Sequence, residues 1–230
     1  LINYKPDKVF FAFDAKEKTF RHEKYPEYKA TRKKTDDELI QQFKVIKDIL
    51  KRSNINFIEK PGFEADDIIG TLSKEDSLKG SEKIVITGDG DLLQLINDEV
   101  SVFLSGSAFQ KSILYDLKKA EEKLGYTTNQ IIEYKALRGD SSDNIPGISG
   151  IGEVTAKKIL SNYKNLEDVY ENIEKFDKTL KSKLDKGRDI AFLSRELATI
   201  VTNVPIDSNL QNSKLDSIDY TGMRESFKDF

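Results

Sequence analysis

Lys83-Ile84-Val85-Ile86-Thr87, followed by Gly88-Asp89-Gly90-Asp91, decides the fold class of this chain. The first five residues are rich in β-branched side chains and read as a buried strand. The turn behind them sets two carboxylates just past the strand's carboxyl end. The same arrangement occurs at Val9-Phe10-Phe11-Ala12-Phe13, another apolar run, which ends on Asp14. Between the two, Ile55 to Ile58 reads as a short strand, Pro61-Gly62 turns the chain, and a helix starts at about Glu64 carrying Ile68, Ile69 and Leu72. A short helix through Leu92, Leu93, Leu95 and Ile96 then leads to the strand Val100 to Leu104. Strands alternating with helices imply an α/β fold with a mainly parallel central sheet and helices on both faces. In such sheets ligands gather at the carboxyl ends of the strands.

Outside this frame, Thr35-Asp36-Asp37-Glu38 reads as a capping box, opening a helix with Leu39, Phe43, Ile46 and Leu50 on one face. Residues 16–34 have little apolar periodicity and read as a loop or an exposed helical excursion. The second half is helical: Leu117 to Leu124 with Gly125 as its stop, Asn129 to Leu137, Glu153 to Tyr163, and Asp189 to Leu197. The change of character near residue 140 divides a core of about 1–139 from a helical part of about 140–230 within a single domain. The opening Leu1-Ile2-Asn3-Tyr4-Lys5-Pro6 reads as a helix end running into a strand, so a preceding segment is expected.

Composition narrows the chemistry. The chain has 230 residues, 33% of them charged, and a net charge of −3. There is no cysteine, which excludes disulfides, thiolate zinc sites and a cysteine nucleophile. The single histidine, His22, argues against a histidine triad or zinc cluster and reads as a surface residue. No apolar run approaches membrane-spanning length and no signal-peptide pattern opens the chain. A cytoplasmic protein without a membrane partner is expected. The acidic average hides a pattern. Residues 16–34 hold eight Lys/Arg against three Glu, and residues 175–188 hold six against two Asp. Basic flanks around an acidic centre suit a polyanion, although charge runs are also ordinary solvated faces.

The acidic centre comprises Asp14, Glu64, Asp66, Asp67, Asp89, Asp91, Asp140 and Asp143. Each stretch has an ordinary alternative. Acids at the start of a helix favour its dipole, Asp89-Gly90-Asp91 could be a plain turn, and Gly139-Asp140-Ser141-Ser142-Asp143-Asn144-Ile145-Pro146-Gly147 could be a loop of Asx and Ser turns. Brought together, however, these carboxylates would repel unless cations neutralise them. Their hard oxygen donors favour magnesium or manganese, and a pair of such ions is a usual device for cutting phosphodiesters. Directly behind the acidic loop, Gly147-Ile148-Ser149-Gly150-Ile151-Gly152 precedes a helix and resembles a helix-hairpin-helix turn, whose glycines and helix amides approach phosphate. Tyr25, Tyr28, Lys29 and Arg32 interleave aromatics with cations, which suits a single strand.

Together these strings resemble the 5′-nuclease family. The resemblance runs from about Tyr4 to the end. It rests on Phe13-Asp14-Ala15, Thr19-Phe20-Arg21, Tyr28-Lys29-Ala30-Thr31-Arg32, Gly62-Phe63-Glu64-Ala65-Asp66-Asp67, Thr87-Gly88-Asp89-Gly90-Asp91 and Gly139 to Ala156. It implies a PIN-like core with a helix-hairpin-helix subdomain and two Mg2+ (or Mn2+) held by the eight acids. Asp14, Glu64, Asp66 and Asp89 would serve one ion, Asp91, Asp140 and Asp143 the other, with Asp67 unassigned. It further implies that Lys29 reaches the scissile phosphate and Arg32 supports it. Arg21, Tyr28, Gly147, Gly150, Gly152, Lys157 and Lys158 would contact DNA, with K+ often at the hairpin. The implied substrates of this monomeric enzyme are DNA with a 5′ flap or nick and RNA primer–DNA hybrids, met in replication and repair. Two departures stand out. The family's first metal-binding aspartate lies in a strand and helix before the position of Leu1, and lysine is usual where Gly90 and Val154 stand. The first departure opens a rival expectation, a junction-binding fragment impaired in cutting.

Overall fold

Parallel strand pairing is present in the front half, but in two short sheets instead of one. The computed structural model describes residues 4–106, 111–207 and 213–229. Strand β1 (Phe11–Ala12) pairs parallel with β2 (Phe57–Ile58). Strand β3 (Lys83–Thr87) pairs parallel with β4 (Val100–Leu104), which pairs antiparallel with β5 (Ile113–Tyr115). Among the described residues the sheet orders are β1-β2 and β3-β4-β5. The strand expected over Val9 to Phe13 is shorter for a visible reason. The Val9 amide donates to the Ser213 carbonyl (2.9 Å), and the Leu215 amide to that of Asp7 (3.0 Å). The chain upstream of Phe11 therefore pairs with residues 213–215 and does not extend β1. Residues 1–3 of the opening segment lie outside the described residues.

The burial expected of these strands holds on one side only. Val102 is fully enclosed and Val100 nearly so. Ile86, on the other face of β3, is 59% exposed, and Phe11 is 36% exposed. Helix α1 (Phe20–Lys24) lies inside the charged stretch. Helix α2 (Asp37–Arg52) opens on Asp36, with no side-chain capping bond, so the expected capping box is not formed. Its first-turn acids, Asp37 and Glu38, still suit the helix dipole. Of its apolar face only Leu50 is buried. Leu39, Phe43 and Ile46 stay open, with Phe43 edge-on to Phe13. Helix α3 (Ala65–Ser73) starts where expected, with Glu64 as its cap. The segment Gly90–Leu95 forms 3-10 turns that bury Leu92, Leu93 and Leu95.

The back half is helical. It contains α4 (Leu117–Leu124), α5 (Ile131–Arg138), α6 (Glu153–Leu160), α7 (Leu166–Glu171), α8 (Lys178–Lys186), α9 (Arg188–Ala198) and α10 (Tyr220–Ser226). Gly125 ends α4 in the left-handed conformation (φ 79°), as its position suggested. Leu137, Ile148, Ile159, Leu166 and Leu184 share one core between α5, α6, α7 and α8. Each fully buried leucine contributes about 1.5–3 kcal/mol relative to exposure. The front and back halves are stitched by a smaller cluster, in which Tyr28 packs on Ile145, Leu197 and Ala198.

Candidate functional site

The front-half acids meet at the amino end of α3. The Asp14 carboxylate, just past β1, accepts a hydrogen bond from the Ala65 amide (2.8 Å), joining the strand end to the helix start. Glu64, which caps α3, is buried and receives the Lys29 ammonium on Oε1 (2.8 Å) and the Tyr28 hydroxyl on Oε2 (3.1 Å). Asp66 follows one residue into the helix. Burial raises its pKa to about 7, helped by the charge of Asp89 and, less strongly, by Glu64 and Asp14, while Lys29 opposes the shift. Asp66 thus lies within the fields of Asp14, Glu64 and Asp89.

Asp89 caps the turns that follow β3 and accepts the Asp91 amide (2.9 Å). Asp91 points the other way, to the loop after α5. There the Lys135 ammonium donates to both Asp91 and Asp140. The other oxygen of Asp140 accepts the Ser142 amide (2.9 Å) and hydroxyl (2.5 Å). Burial alone would raise the Asp140 pKa, but Lys135 and Ser142 outweigh it and hold the carboxyl at about 2. Burial raises that of Asp91, only partly offset by Lys135. Asp143 is buried and faces back to the first group. It accepts the Tyr28 hydroxyl (3.3 Å), pairs with Arg32, and lies 3.7 Å from the Lys29 ammonium. Tyr28 and Lys29 therefore join Glu64 to Asp143 across 79 residues of sequence (Lys29 and Tyr28 lying outside that interval).

The loop that carries Asp140 and Asp143 is closed on itself. Asp140 and Ile145 exchange backbone hydrogen bonds of 2.8 Å. Gly147 (φ 60°) lies so close to Gly139 that a β-carbon would meet the Gly139 nitrogen at 2.1 Å, so no other residue fits without moving the loop. The loop also grips the basic segment. The Lys29 amide donates to the Asp143 carbonyl (2.9 Å), and the Asn144 side chain to the Glu27 carbonyl (2.7 Å). Lys29 and Asn144 both take positive φ, 55° each, an unusual conformation for side chains other than glycine. Lys29 is thus fixed against the acids at both its backbone and its ammonium.

Two expected site residues have a different job. Asp67 is fully buried and all its acceptor sites are used: Arg21 donates to both oxygens (2.7 Å each), the Val201 amide to one (2.8 Å) and the Glu64 amide to the other (3.0 Å). It is placed as a structural anchor, with no oxygen left for an ion. Arg21, expected to contact DNA, is 2% exposed and spends two further donors on the carbonyls of Leu197 (2.9 Å) and Thr199 (2.7 Å). Burial opposes its charge, but Asp67 and Glu64 more than compensate and its pKa is raised. Its charge is consumed internally. His22 is a partner of Thr19 at the cap of α1.

Behind the acidic loop the chain turns before α6. Ile148 donates to the Leu137 carbonyl and Ile151 to that of Ile148, and α6 begins after an exposed Gly152. Val154 is 82% exposed on the first turn. Lys158 is exposed, while Lys157 pairs with Glu153 (2.8 Å). Lys183 donates to the Gly150 carbonyl (2.9 Å). Lys135 is the residue that sequence reasoning missed. Its only signal was a lysine inside the otherwise inward-facing run Ile131 to Leu137, a turn and a half before Asp140.

Residues 1–125 match the 5′-3′ exonuclease, N-terminal resolvase-like domain, and residues 126–221 the 5′-3′ exonuclease, C-terminal SAM fold. The chain belongs to the 5′-3′ exonuclease family. It is 44% identical over 210 residues to DNA polymerase I of Caldicellulosiruptor bescii, covering 90% of this chain and 25% of that protein. To DNA polymerase I of Bacillus subtilis it is 41% identical over 230 residues, covering 100% of this chain and 26% of that protein. The chain thus spans about a quarter of the length of these relatives. Among solved structures it is similar to the bacteriophage T5 flap endonuclease in a pseudo-enzyme–product complex with DNA and metal ions. The TM-score is 0.73 and the identity 25%, covering 99% of this chain and 84% of that one. The catalytic core of Rad2 in complex with DNA substrate shares the fold, with a TM-score of 0.59 at 20% identity over 96% of this chain and 73% of that one.

Both matching family models are of 5′-3′ exonuclease domains. The 5′-3′ exonuclease frame also explains why the sheet ends, the α3 start and the acidic loop face one another. As placed, the described residues form no group of three or more acidic side chains around a single point. The acids are instead joined in pairs by lysine, Glu64 with Asp143 and Asp91 with Asp140. The donor set is all oxygen, and cations already occupy the spaces between its members. That chemistry fits hard divalent ions. No helix among the described residues is long and apolar enough to cross a membrane.

Proposed function

We propose that this chain hydrolyses phosphodiester bonds of DNA at a 5′ end or at the junction of a 5′ flap with duplex. The observation that carries the reading is the junction at Tyr28 and Lys29, where the α3 acids, the acidic loop and the basic segment are joined by direct hydrogen bonds. Asp14, Glu64, Asp66 and Asp89 would hold one divalent ion, and Asp91, Asp140 and Asp143 a second. The chemistry a bound magnesium or manganese would supply there is a more acidic water and neutralised phosphate charge.

The chain's own residues do the rest. Lys29 and Arg32 are now paired with Glu64 and Asp143; a phosphate arriving at the acids offers them a replacement anion, so both can transfer to it and stabilise charge building on its oxygens. Tyr28, 3% exposed, holds Glu64 and Asp143 in register and has no open ring face for a base, so its part is positional. The exposed first turn of α6 and Lys158 lie on the hairpin, suited to the duplex backbone. Lys183 already supplies positive charge at the Gly150 carbonyl, on the hairpin for which a potassium ion was expected. Displaced strands and RNA primers are the substrates this reading implies, and a monomer suffices for it.

A second reading is favoured by the lysine bridges: a chain that binds junctions without cutting them. A 5′-labelled flap duplex, incubated with the chain in magnesium and then in manganese, separates the two. The nuclease reading predicts release of the flap near the junction. Tight binding with intact DNA in both metals would overturn it and leave the binding form.

A further inference from the structure

Lys135 has no place in the expected set of ligands, yet it stands between two of them. It is 9% exposed, on the inward face of α5, and its ammonium donates to Asp91 and Asp140 at once. Those two acids are brought together from separate elements, the turn after β3 and the loop after α5. Asp140 is held by Ser142 through its other oxygen, and the backbone amide of Asp91 by Asp89. The position between them therefore holds one cation, not two. A dication entering there would lie within a few ångströms of the ammonium, in a half-buried setting where like charges are poorly screened.

We propose that Lys135 is a displaceable internal cation. It neutralises Asp91 and Asp140 in the metal-free protein and must leave them before a divalent ion is bound there, so competition with Lys135 sets the affinity of that ion. The inference rests on the metal-centre reading above. It differs from the role of Lys29, whose ammonium bridges Glu64 and Asp143 from the basic segment and is offered a phosphate in exchange. Lys135 comes from the core helix itself, and its competitor is the metal.

Calorimetric titration with Mn2+, without DNA, tests this on the whole chain and on Lys135→Met. Methionine keeps the length of the stem and removes the charge. One Mn2+ site is expected to tighten at least tenfold in the variant, the scale set by losing one charge a few ångströms away. Uptake that is equal in the two proteins, or weaker in the variant, overturns the proposal and leaves the metal centre standing. No uptake by either overturns both. A second measurement needs no variant. Reductive methylation of the wild-type lysines, read by mass spectrometry, is expected to label Lys135 several-fold faster when Mn2+ is saturating, with Lys83, paired to Glu99, as the unchanged control. Constant labelling of Lys135 in the Mn2+-saturated protein would also overturn it.

Discussion

Replacing Arg21 with methionine probes the anchor beneath the site. Arg21 is 2% exposed and Asp67 0%. The guanidinium donates to both Asp67 oxygens at 2.7 Å and to the carbonyls of Leu197 and Thr199 at 2.9 and 2.7 Å. Arg21→Met leaves Asp67 as a buried charge without its partner, which costs about 3–5 kcal/mol. For a chain of this size, about 2–4 °C of melting temperature is lost per kcal/mol. The expected fall is therefore about 6–20 °C, read by circular dichroism in buffer without metal. The double variant Arg21→Met/Asp67→Leu removes the stranded charge and should recover at least about 1 kcal/mol of the loss. A fall below about 2 °C in the single variant would refute the argument, because it would mean that Asp67 reaches solvent or protonates at little cost. A double variant no better than the single would show that the backbone donors to Asp67, Val201 and Glu64, dominate its worth.

Lys29→Ala is expected to slow single-turnover flap cleavage by at least about a hundredfold and also to lower the melting temperature, since the Lys29 side chain is 19% exposed and its partner Glu64 only 11%; an unchanged rate would remove Lys29 from the mechanism. Gly147→Ala should destabilise by more than about 2 kcal/mol, measured by urea unfolding, because its β-carbon would overlap the Gly139 backbone; a near-neutral result would mean that the loop is not packed as described. The raised pKa of Asp66 has a definite sign. The folded state binds that proton more tightly than the unfolded chain, so the stability contributed by Asp66 is greatest below pH 4 and is lost as pH rises toward about 7. Asp66→Asn should flatten this dependence in metal-free buffer, and an unaltered profile in the variant would assign it to other groups.

What could be read from the sequence was local. The strand ending before Asp89, the start of α3 at Glu64, and Gly125 as the stop of α4 are patterns of neighbouring residues, and each stands where its pattern placed it, while the run ending at Asp14 is a strand only over Phe11–Ala12. Periodicity also named the apolar face of α2, but not its neighbours, and Leu39, Phe43 and Ile46 remain open. Helices α7 and α10 and strand β5 are short elements of 6, 7 and 3 residues, and their propensity signal was too brief to stand out, while α8 lies in a lysine-rich stretch that was read only as charge. The site divided along the same line. Which acids belonged to it followed from their strings. Which cation met which acid did not, because Arg21 reaches Asp67 across 46 residues and Lys135 reaches Asp91 across 44. Arg21 looked like one more charge in a basic run, and only packing against Leu197 and Thr199 makes it internal.

The account turns on whether the acidic loop takes part in bond cleavage. Single-turnover cleavage of a 5′-flap duplex by the wild-type chain and by Asp140→Asn, in magnesium at neutral pH, addresses that with one changed atom. The account predicts that the variant loses cutting while its affinity for the flap, measured in calcium, stays within a few-fold. A variant that cuts at the wild-type rate would show that the loop holding Asp140 and Asp143 only braces the fold.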